Sequence, residues 1–382
     1  MKTIKFIILS AFLFSLAYIN KNQIPTPIEL KTFDFIITSG IDIDSNSKDF
    51  SISYIGSDEV NNKKNIFNIK SNTLNKTFEK LQSLTNKNLN DSHLEYILIG
   101  EDTAKENLDY FIDYYTKKPG IKLNVYTFIT KNMSSEKFIE KILSSKIDAE
   151  TRLDGLVNDK TQLSSMTKKN LKDIMQLFYS ENKTGLIPVL AIEESPVKNN
   201  EEKYTFGFDG LGIIKDGKLI EELPYSLVRT YIILTGNLKI SDIEITDENN
   251  NLSVFSIKNS KNKISFEFDE NNIPEKIIFN LEIETNFEET SAKNNILNDE
   301  NINNLNKYQS EKIKSEIEQI IELSKNINAD FLNLGESLSI QHPYKWHFIK
   351  NNWQNIFNNI EFETNVNVKT KRYFNANMKT GE

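Results

Sequence analysis

Apolar positions along the chain keep two rhythms, and each change of rhythm marks a change of element. Phe33-Asp34-Phe35-Ile36-Ile37-Thr38 runs into Gly40-Ile41-Asp42, and after a polar stretch from Asp44 to Asp49 the pattern resumes over Phe50 to Ile55. Two strands joined as a hairpin are predicted. Leu74, Phe78 and Leu81 then repeat at i, i+4, i+7, which predicts a helix over about 72–84. Leu94 to Ile99 reads as a buried strand. Glu101 and Asp102 open a second helix, with Leu108, Phe111, Ile112 and Tyr115 on one face and Lys117-Lys118-Pro119-Gly120 as its stop. A strand over Lys122 to Thr130 follows, so strand and helix alternate as in a βαβ crossover. Helices near 136–143 and 168–179 flank an irregular loop, and Leu186 to Ile192 closes the region.

Glu193 to Lys203 is charged, Asn-rich and broken by Pro196, the composition of a linker. Beyond it, Phe206 to Leu219 folds back about Asp216-Gly217 as a second hairpin, and Pro224 to Leu234 predicts a short helix stopped at Gly236. Four short strands follow, near 243–245, 252–257, 264–268 and 277–283, each with one apolar face. An Asn-rich passage over 288–306 leads to a long amphipathic helix around Lys312 to Asn328, whose isoleucine stripe suits it to cover that sheet. Pro343 fits the first turn of a further helix lined by Trp346, Ile349, Trp353, Ile356 and Phe357, so both tryptophans are expected in the core. Ile360 to Val368 alternates as a last strand beside the others. The fold class is therefore α+β and multi-domain. It divides into an N-terminal α/β domain (28–192), a linker (193–203), a small hairpin-plus-helix middle domain (204–240) and a C-terminal domain (241–375) with an antiparallel sheet covered by a long helix.

Composition narrows the class. At 382 residues the chain exceeds one ordinary core, and a mean hydropathy of -0.46 excludes a multi-span membrane protein. The net charge of -8 argues against a nucleic-acid partner, which needs a basic face. Cysteine is absent, which removes disulfides, thiolate metal sites, a cysteine nucleophile and a lipidated cysteine. Only the N-terminus is membrane-directed: Lys2 and Lys5 precede an apolar run from Phe6 to Ile19, with Ser15-Leu16-Ala17 in the pattern a signal peptidase reads. Residues 1–19 are expected to be a signal peptide or an N-terminal membrane anchor.

The C-terminal third carries a distinctive series: Ala329-Asp330-Phe331, Gly335-Glu336, His342-Pro343-Tyr344-Lys345-Trp346, then Trp353. In order and spacing it resembles the C-terminal domain of the Ger(x)C family of spore germination proteins. The Gly40-Ile41-Asp42 element, the stretch from His93 to Glu101 around Gly100, Pro119 to Val125 and the hairpin around Gly210 extend the likeness over nearly the whole chain after Phe33. The family-signature positions are thus Gly40, Asp42, Gly100, Gly210, Asp330, Gly335, Pro343, Trp346 and Trp353, with structural roles. Family members usually carry a lipobox cysteine after the apolar run, where Tyr18 stands here, and of the element that follows only Glu29-Leu30 survives. The resemblance implies the C subunit of a nutrient germinant receptor: an exported, membrane-associated protein at the outer face of the spore inner membrane. It would assemble with the integral membrane A and B subunits, held by an uncleaved N-terminal segment or by those subunits.

Candidate chemistry is sparse. Asp42-x-Asp44-x-Asn46 has the opening of a calcium loop, but Ser47 replaces the required glycine and Ser53 the closing glutamate. Gly207, Gly210 and Gly212 open no helix, so they fit turns rather than a phosphate site. His93 suits a capping or surface position, and His342 and His347 fit no zinc pair. No Gly-x-Ser-x-Gly elbow occurs. The expectation is a protein without catalytic residues, metal or cofactor. A germinant-binding module, which needs a concave pocket, and a cortex-acting hydrolase, which needs two carboxyl groups about 5 Å apart, are the alternatives.

Overall fold

A computed structural model describes residues 33–371 apart from 45–46, 59–62, 146, 162, 198–202, 237, 239 and 293–298, together with positions 10 and 15. The expected signal or anchor over 1–19 and the Glu29-Leu30 element lie outside the described residues.

The predicted hairpin forms as β1 (Phe33–Ile43) and β2 (Phe50–Asp58), and β3 (Lys63–Ser71) adds a third antiparallel strand that the sequence pattern hid. Three lysines and two asparagines in β3 mask its alternation, as suits a strand at the end of a sheet order. Then come α1 (Leu74–Leu84), β4 (Asn88–Asn90), β5 (Tyr96–Gly100), α2 (Glu101–Lys117) and β6 (Tyr126–Thr130). α3 (Ser135–Ser144), α4 (Ala149–Asn158), α5 (Leu163–Thr167), α6 (Leu171–Tyr179) and β7 (Thr184–Glu194) complete the region. The loop expected between the flanking helices is thus itself helical, and Leu153, Leu156 and Val157 of α4 are buried. β1, β5, β6 and β7 run parallel, so both faces of their sheet need cover. Ile97 and Ile99 of β5 face α1, α2 and α6, whereas Tyr96 and Leu98 face α3 and α4.

The hairpin β8 (Tyr204–Lys215) and β9 (Lys218–Pro224) forms as predicted, but β8 pairs along its length with β7. The sequence assigns it to a small unit of its own; its backbone instead extends the first sheet to nine strands, in the order β3-β2-β1-β5-β6-β7-β8-β9 with β4 beside the start of β1. The following helix, α7 (Tyr225–Leu234), packs on this sheet and on the second one.

That second sheet comprises β10 (Ser241–Thr246), β11 (Leu252–Phe268), β12 (Pro274–Thr290) and, after the helices, β13 (Glu361–Lys371). β11 is one strand where the sequence suggests two. The polar run Lys258-Asn259-Ser260-Lys261-Asn262-Lys263 still pairs its backbone with β12, past a bulge near Ile257. α8 (Asp299–Asn326) is longer than its apolar stripe predicts and buries Ile313, Ile317 and Ile320 against the sheet. α9 (Leu334–Gln341), α10 (Pro343–Ile349), a 3-10 turn and α11 (Trp353–Asn359) follow. β13 then joins β12 in parallel, so the expected antiparallel sheet is mixed; the intervening helices make the crossover that a parallel pair requires.

One apolar core joins the sheets: Leu186, Leu211, Ile213 and Leu223 of the first pack with α7, with Phe255, Phe279 and Leu281 of the second, and with α8. Arg229 of α7 reinforces this junction, donating Nη2 to both Glu316 carboxylate oxygens of α8 at 2.7 and 2.6 Å and Nη1 to the Asp242 carbonyl at 2.9 Å.

Candidate functional site

The signature residues gather into two nodes, each built around a buried aspartate. In the first, Gly40 and Asp42 on β1 and Gly100 at the end of β5 meet the first turn of α3. The Asp42 carboxylate accepts hydrogen bonds from the Ser135 and Glu136 main-chain N–H groups at 2.8 and 2.9 Å and from Ser135 Oγ at 2.8 Å. A helix start leaves such N–H groups without partners and favours an anion. Contact this close requires glycine on β1 itself and at the end of β5: a Cβ on Gly40 would stand 2.6 Å from Ser135 Oγ, and one on Gly100 would collide with Asp42 Oδ1. Burial raises the Asp42 carboxyl above its ordinary value, opposed by these hydrogen bonds. The Asp42 that would open a calcium loop is therefore committed to α3, and Asn46 lies outside the described residues.

The second node repeats the device. Asp330, fully buried, accepts from the Leu334 and Gly335 N–H groups at 2.9 and 2.8 Å and from the Trp353 indole N–H at 2.9 Å. A Cβ on Gly335 would lie 2.8 Å from Trp353 Nε1 and 2.9 Å from the Trp346 ring, and the two indoles meet edge to face at 5.5 Å. Pro343 takes the first turn of α10, as predicted. Trp353 is core, whereas Trp346 is half-buried and donates its indole N–H to Glu181 at 3.1 Å. Lys350 Nζ donates to the same carboxylate at 2.8 Å, Asn182 Nδ2 to the Asp330 carbonyl at 2.7 Å and Lys215 Nζ to the Asn328 carbonyl at 2.6 Å. The turn between α6 and β7 is thereby fastened to the second node. Sequence reasoning missed Ser135, Glu181, Asn182 and Lys350, which lie far in sequence from the groups they bind. Asp330 stands four and five residues ahead of the N–H groups it receives and was marked in the sequence only by the family resemblance.

Gly210 has φ 146°, where a Cβ would press on the Leu223 carbonyl, and it follows a bulge opposite Val189 and Leu190. The bulge sets Asp209 beside Lys131, which also pairs with Glu222. His93 packs edge to face on Phe35, and His342 on Phe268. A group of buried ionisable side chains gathers at the end of α2: Tyr54, Tyr114, Tyr115, and Lys118 paired with Asp91. Burial pushes the Tyr114 phenol up to about 12 and Tyr54 and Tyr115 higher still, so these hydroxyls stay protonated. Among the described residues no three His, Asp or Glu side chains converge as metal ligands. Four surface grooves, of about 380 to 630 Å³, are open to solvent.

Two family models match stretches that together contain every signature residue: the spore germination protein N-terminal domain over residues 27–192, and the spore germination B3/GerAC-like C-terminal domain over residues 209–373. The sequence matches and the fold are those of a spore germination protein. The chain belongs to the Ger(x)C family. Spore germination protein B3 of Bacillus subtilis (strain 168) is 24% identical over 292 residues, 72% of each chain. The crystal structure of the GerBC protein shares the fold, with a TM-score of 0.55 at 18% identity, over 87% of this chain and 97% of that one.

Proposed function

We propose that the chain is a non-enzymatic subunit of a spore germinant receptor, required for nutrient-triggered germination through assembly with the integral membrane A and B subunits. Its site is the outer face of the spore inner membrane. Retention there falls to an uncleaved N-terminal segment or to the partner subunits, because no cysteine exists to carry a lipid. The observation that carries this reading is how the signature aspartates are used. Each accepts three hydrogen bonds from protein donors and braces a helix, so both signature carboxylates are engaged in holding the fold. On this reading the units proposed are 28–192, 204–240 and 241–375, the hairpin of the second unit being shared with the first sheet.

Deleting the gene and measuring nutrient-triggered germination, with affinity purification of the tagged protein from spore membranes, tests the proposal. Loss of germination together with recovery of both membrane subunits is expected. Normal nutrient response in the deletion strain, or tight calorimetric binding of a germinant by the purified chain alone, defeats it.

A further inference from the structure

The most exposed large apolar side chains collect on one edge of the molecule. Ile340, Tyr344 and Phe348 are 74%, 86% and 83% exposed and follow one another at four-residue spacing across α9 and α10. Leu84 and Tyr179, at 68% and 79%, are the only other large apolar side chains among the described residues that exceed three-fifths. Leu84 ends α1 just before β4, whose Asn88 pairs with Phe33 at the entry of β1. Tyr179 ends α6, two residues before the Glu181 that holds Trp346 and Lys350 of the α10 region.

Strand register places these points together. Thr38, Tyr96 and Tyr126 are partners across three parallel strands, and Ile129 pairs with Val189, so the entry of β1 and the turn before β7 stand level. Three strand spacings, roughly 15 Å, separate them. The apolar run from Phe6 to Ile19 therefore precedes the same edge that bears the exposed aromatic residues.

Charge along the stretch of chain that bears these residues runs against the rest, although Glu181 comes in from the turn before β7 to pair with Lys350. From Ser337 to Ile360 there is no Asp or Glu, in a protein with 54 of them, while Lys345, Lys350 and two of the three histidines fall in that stretch. Exposed aliphatic and aromatic side chains beside a cation match the headgroup region of an anionic bilayer: rings and aliphatic tips enter the interface, and Lys345 meets phosphate. We propose that the face carrying Ile340, Tyr344 and Phe348 rests on an anionic lipid surface, so that the protein docks on its membrane through the amino-terminal edge of its first sheet. This deepens the reading of a membrane-associated subunit and rests on it.

Because the chain has no cysteine, a single one can be labelled. The full chain carrying Tyr344→Cys, Phe348→Cys or, as a control at the opposite end of β7, Val197→Cys is labelled with a polarity-sensitive fluorophore. It is then mixed with vesicles of phosphatidylcholine and phosphatidylglycerol. Labels at 344 and 348 should brighten at least twofold, shift to shorter wavelength and be quenched by spin-labelled lipid, while the label at 197 stays unchanged. Equal responses at all three positions, or none at 344 and 348, overturn the proposal. Protection of 344 and 348 only when the membrane subunits are added assigns the face to a protein partner, which overturns lipid docking and leaves the receptor role intact.

Discussion

Asp330 is wholly enclosed, yet it is surrounded by donors rather than cations, so its cost of burial is offset only by the three hydrogen bonds it accepts. Asp330→Ala leaves two main-chain N–H groups and an indole N–H without partners, and should lower unfolding free energy by about 3 kcal/mol in urea titrations. Burial raises this carboxyl above its ordinary value, against the Gly335, Leu334 and Trp353 hydrogen bonds. A carboxyl with a higher pKa in the fold than in the unfolded chain holds its proton more tightly when folded. Its contribution is fully present below about pH 4 and is lost as pH rises through the raised value. The stability difference between wild type and Asp330→Asn should therefore fall as pH is raised from 4 toward 7, and a difference that grows instead contradicts the assignment. Gly335→Ala drives a methyl group into both indoles and should cost about 1–3 kcal/mol. Since Trp346 and Trp353 are the chain's only tryptophans, its emission spectrum should change with it.

Elements show what a sequence can and cannot convey. Helices with apolar stripes, α1, α2 and α6, were legible because burial on one side imposes a period. β5 was legible because both of its faces are covered. β3 and the middle of β11 were not, since a strand's pairing is made by its backbone: in β3 lysines and asparagines crowd the short apolar pair Phe67 and Ile69, and the middle of β11 is polar throughout. The parallel arrival of β13 was hidden for another reason: alternation gives a strand but not its direction. At the nodes, the aspartates and glycines were legible through the family resemblance, and the groups they serve were not. Asp42→Ala should weaken the start of α3, costing about 1–2 kcal/mol in thermal or urea unfolding, with Gly100→Ala harsher because its methyl meets the Asp42 carboxylate. The Glu181 and Lys350 pair is largely exposed, and a double-mutant cycle to alanine should return under about 1 kcal/mol of coupling.

Across the whole molecule, the two sheets share α7 and one continuous apolar cluster, so they are expected to unfold together. Far-ultraviolet dichroism, which sees both sheets, and tryptophan emission, which sees only the second node, should give coincident transitions. Separate midpoints would mean that the shared core is too weak to couple the halves. The turn at 180–183 bears most directly on this. Through Glu181 and Asn182 it grips α10 and the loop that starts α9, while its far end continues straight into β7 at the heart of the first sheet. The two sheets are thus tied twice over, by the apolar cluster around α7 and by this turn, so loosening one link leaves the other in place.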